Sequence, residues 1–299
     1  MSLEWLDWSN PVAIWWVFLI SVSAANITVL LWLQSCFRAR SLKAQGAVAI
    51  EPLLLLAAAY VVGCAFRSVL PRADVQRICL FDTWLSSVMV GRSVATVAEL
   101  CFAAQWAIVL QALGILANSD TAKNVARLIV PLVAIAECCS WYAVVTTDYL
   151  GNVMENSLWT ATFVLVAIAL VRLVPRFRGT AQFVIAAAAF GSIGYVIFMG
   201  TVDVPMYFAR WQADLASGKQ VLDALAGLHD VATRWIVTHD IADWREEIAW
   251  MSLYFSAAVW TSLALGGFGL VRHLLPRFVV RATLGTRTRL RLPATIPSA

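Results

Sequence analysis

Seven stretches of this chain are each apolar for about the length that a lipid bilayer demands: residues 11–33, 47–66, 93–117, 128–147, 158–174, 181–202 and 248–275. A hydrocarbon core about 30 Å thick takes roughly 20 mostly apolar residues per helix. The expected fold is therefore all-α: a polytopic integral membrane helix bundle of about seven transmembrane helices. Composition closes off the alternatives. Of the 299 residues, 61% are apolar and only 13% charged, too few polar groups to cover a soluble surface. A cytosolic enzyme, a disordered chain and a disulfide scaffold are excluded.

Lys and Arg set the orientation. With the N-terminus outside, the inner segments hold 14 of the 22 basic residues, among them Arg38, Arg40, Arg176, Arg178, Arg277 and Arg287. The outer segments hold the other eight and most of the acids. The positive-inside rule then favours N-out and C-in with an odd number of spans. The start, MSLEWLDWSN, lacks the basic n-region of a cleavable signal. Residues 1–275 read as one transmembrane domain and 276–299 as a basic cytoplasmic tail, in a bacterial inner (plasma) membrane protein.

Two outer segments are longer than turns. In 67–92, Ile78, Phe81, Leu85 and Val88 fall at helical spacing, which predicts an amphipathic helix at the interface. In 203–247, Asp203 before Pro205 reads as a helix cap, and Ser217-Gly218 as a break before a second helix near Lys219. Both segments are expected to form a lid. Small residues along the sixth span (Ala187, Gly191, Gly194, Gly200) suggest close helix packing at the centre. Trp5, Trp8, Trp15, Trp16, Trp244 and Trp250 lie near predicted boundaries, where an aromatic belt is expected.

Ionisable residues inside the spans carry the functional signal, because a charge in hydrocarbon costs about 2.5–3.5 kcal/mol or more and must face a cavity or a partner. Glu99 follows Arg92 by seven residues on one helical face, with Thr96 between and Trp106 beyond. Glu137 lies mid-helix in the next span. If those helices are antiparallel neighbours, Glu99, Glu137 and Arg92 share one outer-half cavity and form a candidate catalytic set. Two such carboxyls repel, so one is expected to keep a proton and act as general acid. The plainer reading is that each pairs with an arginine and locks helices together. A weaker candidate is a metal set of His239, Asp243 and Glu247 on one helical face leading to Trp250 and Tyr254. Its plainer reading is a solvated helix start whose acids complement the helix dipole. Asp148 and Glu155 add negative charge at the same mouth. Cys64 and Cys79 are both placed near the outer face, where an oxidising compartment would let them pair. No Walker A, GxSxG, CxxC or HExxH motif occurs, and no cofactor is named by the sequence.

The expected function is an acidic intramembrane cavity that binds an apolar or lipid-like small molecule and has the groups to transform it. The alternatives are a proton-coupled transporter and a non-catalytic subunit or assembly factor. Expected partners are membrane lipids or an apolar small molecule, with membrane-protein partners or a second copy as further candidates. The tail lacks aromatic platforms, so nucleic acid is not expected.

Overall fold

The computed structural model describes residues 6–45 and 51–280. The basic tail from residue 281 on, and Trp5, lie outside the described residues. Among the described residues, ten α-helices make up most of the fold: α1 (Pro11–Gln45), α2 (Pro52–Val69), α3 (Val88–Leu116), α4 (Asp120–Thr146), α5 (Tyr149–Leu173), α6 (Gly179–Phe198), α7 (Val204–Ser217), α8 (Ala224–Thr233), α9 (Ile241–Leu253) and α10 (Val259–Val271). Among the described residues, seven helical spans are long and apolar enough to cross a membrane. Helices α6 and α7 run together as the sixth, and α9 and α10 as the seventh.

The helix starts follow from capping chemistry. Ser87, Ser119, Asp148 and Asp240 each accept a hydrogen bond from a backbone N–H of the helix they precede, satisfying donors that have no partner within the first turn. The Asp148 cap places the start of α5 at Tyr149 rather than near residue 158. That earlier start carries Glu155 into the helix.

Consecutive spans from α1 to α6 pack side by side, and α10 closes back onto α1, α2 and α3. A buried polar clamp fixes that closure. The Gln105 amide donates to the carbonyls of Leu53 (3.2 Å) and Ser262 (3.0 Å), and the Ser262 hydroxyl donates back to Gln105 at 2.6 Å. The sixth span is not central. Only 22% of its most apolar window is buried, and a Cβ added at Gly191 or Gly194 would meet no atom within 4 Å. Its small residues leave space instead of drawing helices together. Helix α6 packs along α5 and, among the described residues, not substantially along α10, so the sixth and seventh spans part between α6 and α10 and meet again toward α7 and α9, where Phe198 stacks on Trp250.

Two π turns interrupt the long spans, at Met199–Asp203 and Tyr254–Ala258. The second is buttressed by Asn26, whose amide donates to the Phe255 carbonyl at 2.9 Å while its oxygen accepts from Trp260 Nε1 at 3.0 Å.

Segment 67–92 does not form the expected interfacial helix. After α2 it turns into β1 (Arg72–Ala73) and β2 (Ile78–Cys79), an antiparallel pair, with β3 (Ile236–Val237) added parallel to β2. Buried arginines set this geometry. Arg77, at φ 61°, donates from Nε to Asp230 of α8 at 2.8 Å and from Nη2 to the Val144 carbonyl of α4 at 2.6 Å. The second outer segment does form helices, with two corrections. Asp203 is not a cap: its backbone is helical and the chain runs straight from α6 into α7. After Gly218 (φ 68°) the next helix begins at Ala224, capped by Asp223, not at Lys219. Trp15 and Trp244 are core residues, 6% and 0% exposed, so the expected aromatic belt does not include them. Cys64 and Cys79 are buried free thiols and form no disulfide.

Candidate functional site

The capped N-termini of α3 and α5 and the antiparallel α4 set four ionisable side chains at one depth. Arg92 stands one turn into α3, and its Nη2 donates to Glu137 of α4 at 2.6 Å. The same nitrogen lies 3.4 Å from Oε2 of Glu99 and 3.5 Å from Oε1 of Glu155. One oxygen from each of the three carboxyls lies within 4.8 Å of the others. All four residues are less than a tenth exposed. The sequence-predicted set of Glu99, Glu137 and Arg92 is thus brought together, and Glu155 joins it.

Each carboxyl has its own neighbours. Glu99 Oε1 accepts from the Tyr254 hydroxyl at 2.9 Å. Glu137 accepts from Thr96 Oγ1 at 2.6 Å, and that oxygen in turn accepts from Trp141 Nε1 at 3.1 Å. Glu155 accepts from the Asn152 amide at 3.2 Å. Several buried polar atoms have no hydrogen-bond partner among the described residues: Glu137 Oε1, Arg92 Nε, Asn152 Oδ1 and Trp106 Nε1.

Arg92, Glu99 and Glu155 stand on the wall of a cavity of about 760 Å³, large enough for a drug-sized or short lipid-like molecule. Glu137 sits behind them. The remaining wall is rich in aromatic rings, with Tyr60, Phe102, Trp106, Trp159, Phe163 and Tyr195 among its residues. These rings pack on one another, as in Tyr60 on Phe102 (4.8 Å between centroids) and Phe163 on Tyr195 (4.7 Å). Val184, Ala188, Gly191 and Gly194 from α6 line one side, and Ala257, Ala258, Thr261 and Ala264 from the seventh span the other. The gap between those spans is therefore the lateral side of the cavity.

At the end of the bundle where the hairpin lies, it contributes Arg72 and Asp74 to the cavity lining. Arg72 donates from Nε to Asp74 at 2.9 Å and from Nη2 to the Val88 carbonyl at 3.2 Å, and it also bonds the Ser87 carbonyl. Burial pulls the Arg72 guanidinium down to about 10, with Asp74 opposing that pull. Burial alone would push the Asp74 carboxyl up, but Arg72, with Arg67, Arg92 and Arg77, holds it below its ordinary value. Gly91 makes room for this arrangement, because a Cβ there would fall 1.9 Å from the Arg72 guanidinium carbon.

The His239, Asp243 and Glu247 set is not brought together. Helix α9 starts at Ile241, so His239 precedes it and cannot share its face. His239 Nε2 hydrogen-bonds the Leu80 carbonyl at 2.9 Å, Asp243 accepts from Thr238 at 2.6 Å, and Glu247 accepts from Gln76 at 3.1 Å. Among the described residues, the group of three with metal-ligand donors at close range is Glu99, Glu137 and Glu155. Three carboxylates are the hard oxygen donors a divalent cation takes, and here the Arg92 guanidinium supplies positive charge among them.

By sequence alone Glu155 falls in the loop between the fourth and fifth spans and Asp203 at a helix cap, Asn152 and Tyr195 carry no signal, and Tyr254 only extends the metal face. An Asp-x-x-x at residue 148, read as a helix cap, was the available signal for Glu155. No family model, no curated protein and no solved structure matches this chain.

Proposed function

We propose that this chain is a multi-pass protein of a bacterial plasma membrane, N-terminus and lid on the non-cytosolic side, that binds a lipid-like molecule in the aromatic cavity. The molecule enters from the bilayer between the sixth and seventh spans and lies with a polar group against Glu99. One observation supports this reading above the others: a single cavity joins aromatic rings, a lateral opening between α6 and α10, and a buried arginine with two of its three carboxyls.

A cluster of this kind can move a proton. Glu99 lines the cavity and is oriented by Tyr254 and Arg92, so it is the group that exchanges a proton with the bound molecule. Glu137 and Glu155 share the Arg92 charge and can return a proton to Glu99, so the negative charge that the transfer leaves on the cluster stays beside the guanidinium and is not isolated in hydrocarbon. The test is mass spectrometry of whatever stays bound to the detergent-purified protein. A stoichiometric lipid or polyene in the wild type, lost in Gly194→Trp and reduced in Glu99→Gln, supports the reading. Reproducible partner polypeptides with no small molecule would support an assembly role instead.

A second reading, proton-coupled transport, draws on the two π turns. Both edge the cavity, one in each of the two spans that flank the gap. Such turns often mark functional hinges. Uptake into vesicles that depends on a pH gradient and is lost in Glu137→Gln would favour it.

A further inference from the structure

The cavity has a second polar region, away from Arg92. It is built at the π turn between α6 and α7 and on the facing side of α9. Asp203, in that turn, is 5% exposed and lines the cavity, yet among the described residues it accepts no hydrogen bond and forms no ion pair. Glu247 lines the same space and is close enough to Asp203 for the two carboxylates to repel. Around them stand aromatic rings. Phe198 and Trp250 are stacked with centroids 5.9 Å apart, and Tyr207 lies one turn beyond Asp203 on the same helix face.

The cations nearby are committed elsewhere. Arg210 attracts Asp203 but is bonded to Glu246 and lies over Tyr149 and Tyr207, outside the cavity wall. Arg72 is bound by Asp74, and Arg92 by its three glutamates. Arg67 also lines the cavity, but it lies over the Tyr254 and Phe255 rings, 6.0 Å from each centroid, with Asp74 and Glu99 as its acidic neighbours. This region is left with surplus negative charge, partial desolvation and aromatic faces. Those are the conditions under which a quaternary or protonated amine is held by carboxylates and ring quadrupoles together.

We propose that Asp203, Glu247, Trp250, Phe198 and Tyr207 form a subsite for a cationic ammonium head, so that the molecule bound in the cavity is an amphiphile with a positively charged amine. This rests on the cavity reading above and specifies its ligand class. The rest of the bound molecule would run along the aromatic rings, with a second polar group against Glu99 and its apolar portion toward the lateral gap.

The test uses the full chain in amphipol and three probes of equal chain length: decyltrimethylammonium, decanol and decanoate. Binding is read by quenching of intrinsic tryptophan fluorescence and checked by calorimetry. Wild type is expected to bind decyltrimethylammonium about tenfold or more tighter than decanol, and decanoate most weakly. Asp203→Asn and, separately, Glu247→Gln should each cut that preference to about threefold or less while leaving decanol affinity unchanged. Thermal unfolding of each variant confirms that it folds, and Glu247→Gln keeps a side chain able to bond Gln76. If decanol binds but the ammonium probe binds no better, or if both variants keep the full preference, the subsite is refuted and the cavity reading stands. If no probe binds, and Gly194→Trp changes nothing, both fail.

Discussion

The Tyr254 hydroxyl donates to Oε1 of Glu99 at 2.9 Å, tying a π turn in the last span to the carboxyl cluster of the third. The two residues are far apart in sequence, and Asn26 from the first span holds the same turn in shape. The geometry of the cluster thus depends on how the chain's ends close onto its middle.

Tyr254→Phe removes that hydrogen bond and little packing. It should cost about 1 kcal/mol of stability, within the range for a single bond to a charged or neutral partner. Ligand retention or turnover should fall more than stability does, because Glu99 loses one of two orienting contacts. Thermal unfolding and ligand mass spectrometry on the same preparation check both.

Arg92→Gln leaves three carboxyls buried without their shared cation. Breaking a buried ion pair from one side costs about 3–5 kcal/mol, so the variant should unfold at a markedly lower temperature in detergent. Glu137→Gln keeps the shape and one acceptor for Thr96 and should lose less. Equal, small losses in both would mean that Arg92 does not hold the cluster.

Two glycines should behave oppositely. At Gly91 an added methyl meets the Arg72 guanidinium, which is the end of a long side chain but is 3% exposed and held by Asp74 and two carbonyls. Gly91→Ala should therefore cost about 1–3 kcal/mol. Gly191→Ala puts a methyl into open space and should be neutral or stabilising, as alanine favours a helix over glycine by about 0.5–1 kcal/mol. Unfolding temperatures of the pair decide it.

The hairpin should show a specific acid sensitivity. The Asp74 carboxyl is held below its ordinary value of 3.8 by the surrounding arginines. Its contribution to stability is therefore complete above that value and disappears as the pH falls through its lower folded value. Asp74→Asn should be less stable than wild type near pH 7, and the gap should narrow as the pH is lowered below about 4. Thermal unfolding across that range, with the two proteins in one buffer series, tests the sign.

Much of this was legible in the sequence. Apolar run length fixed the seven spans, and an intramembrane charge must find a partner, so Arg92, Glu99 and Glu137 could be grouped from spacing and topology alone. What was hidden depended on distant contacts. Periodicity in 67–92 looked helical, but the buried arginines Arg72 and Arg77 spend their donors on carbonyls and carboxylates of other elements, which pins the chain as a hairpin. Small residues in the sixth span looked like packing surface and instead border a cavity, because rotation about a helix axis is set by neighbours. Glu155 was missed through a span boundary, and Asp203 because a polar residue before proline resembles a cap.

Photolabelling reads out whether lipid occupies the cavity. A lipid bearing a diazirine on its acyl chain is incorporated with the full chain into vesicles, irradiated, and its attachment sites are mapped by peptide mass spectrometry. The account predicts labelling of the cavity wall, at Trp106, Phe163 and Tyr195, that is lost in Gly194→Trp. Labelling confined to residues exposed on the outside of the sixth span, such as Phe183 and Phe190 at 74% and 80% exposed, and unchanged in that variant, would contradict it.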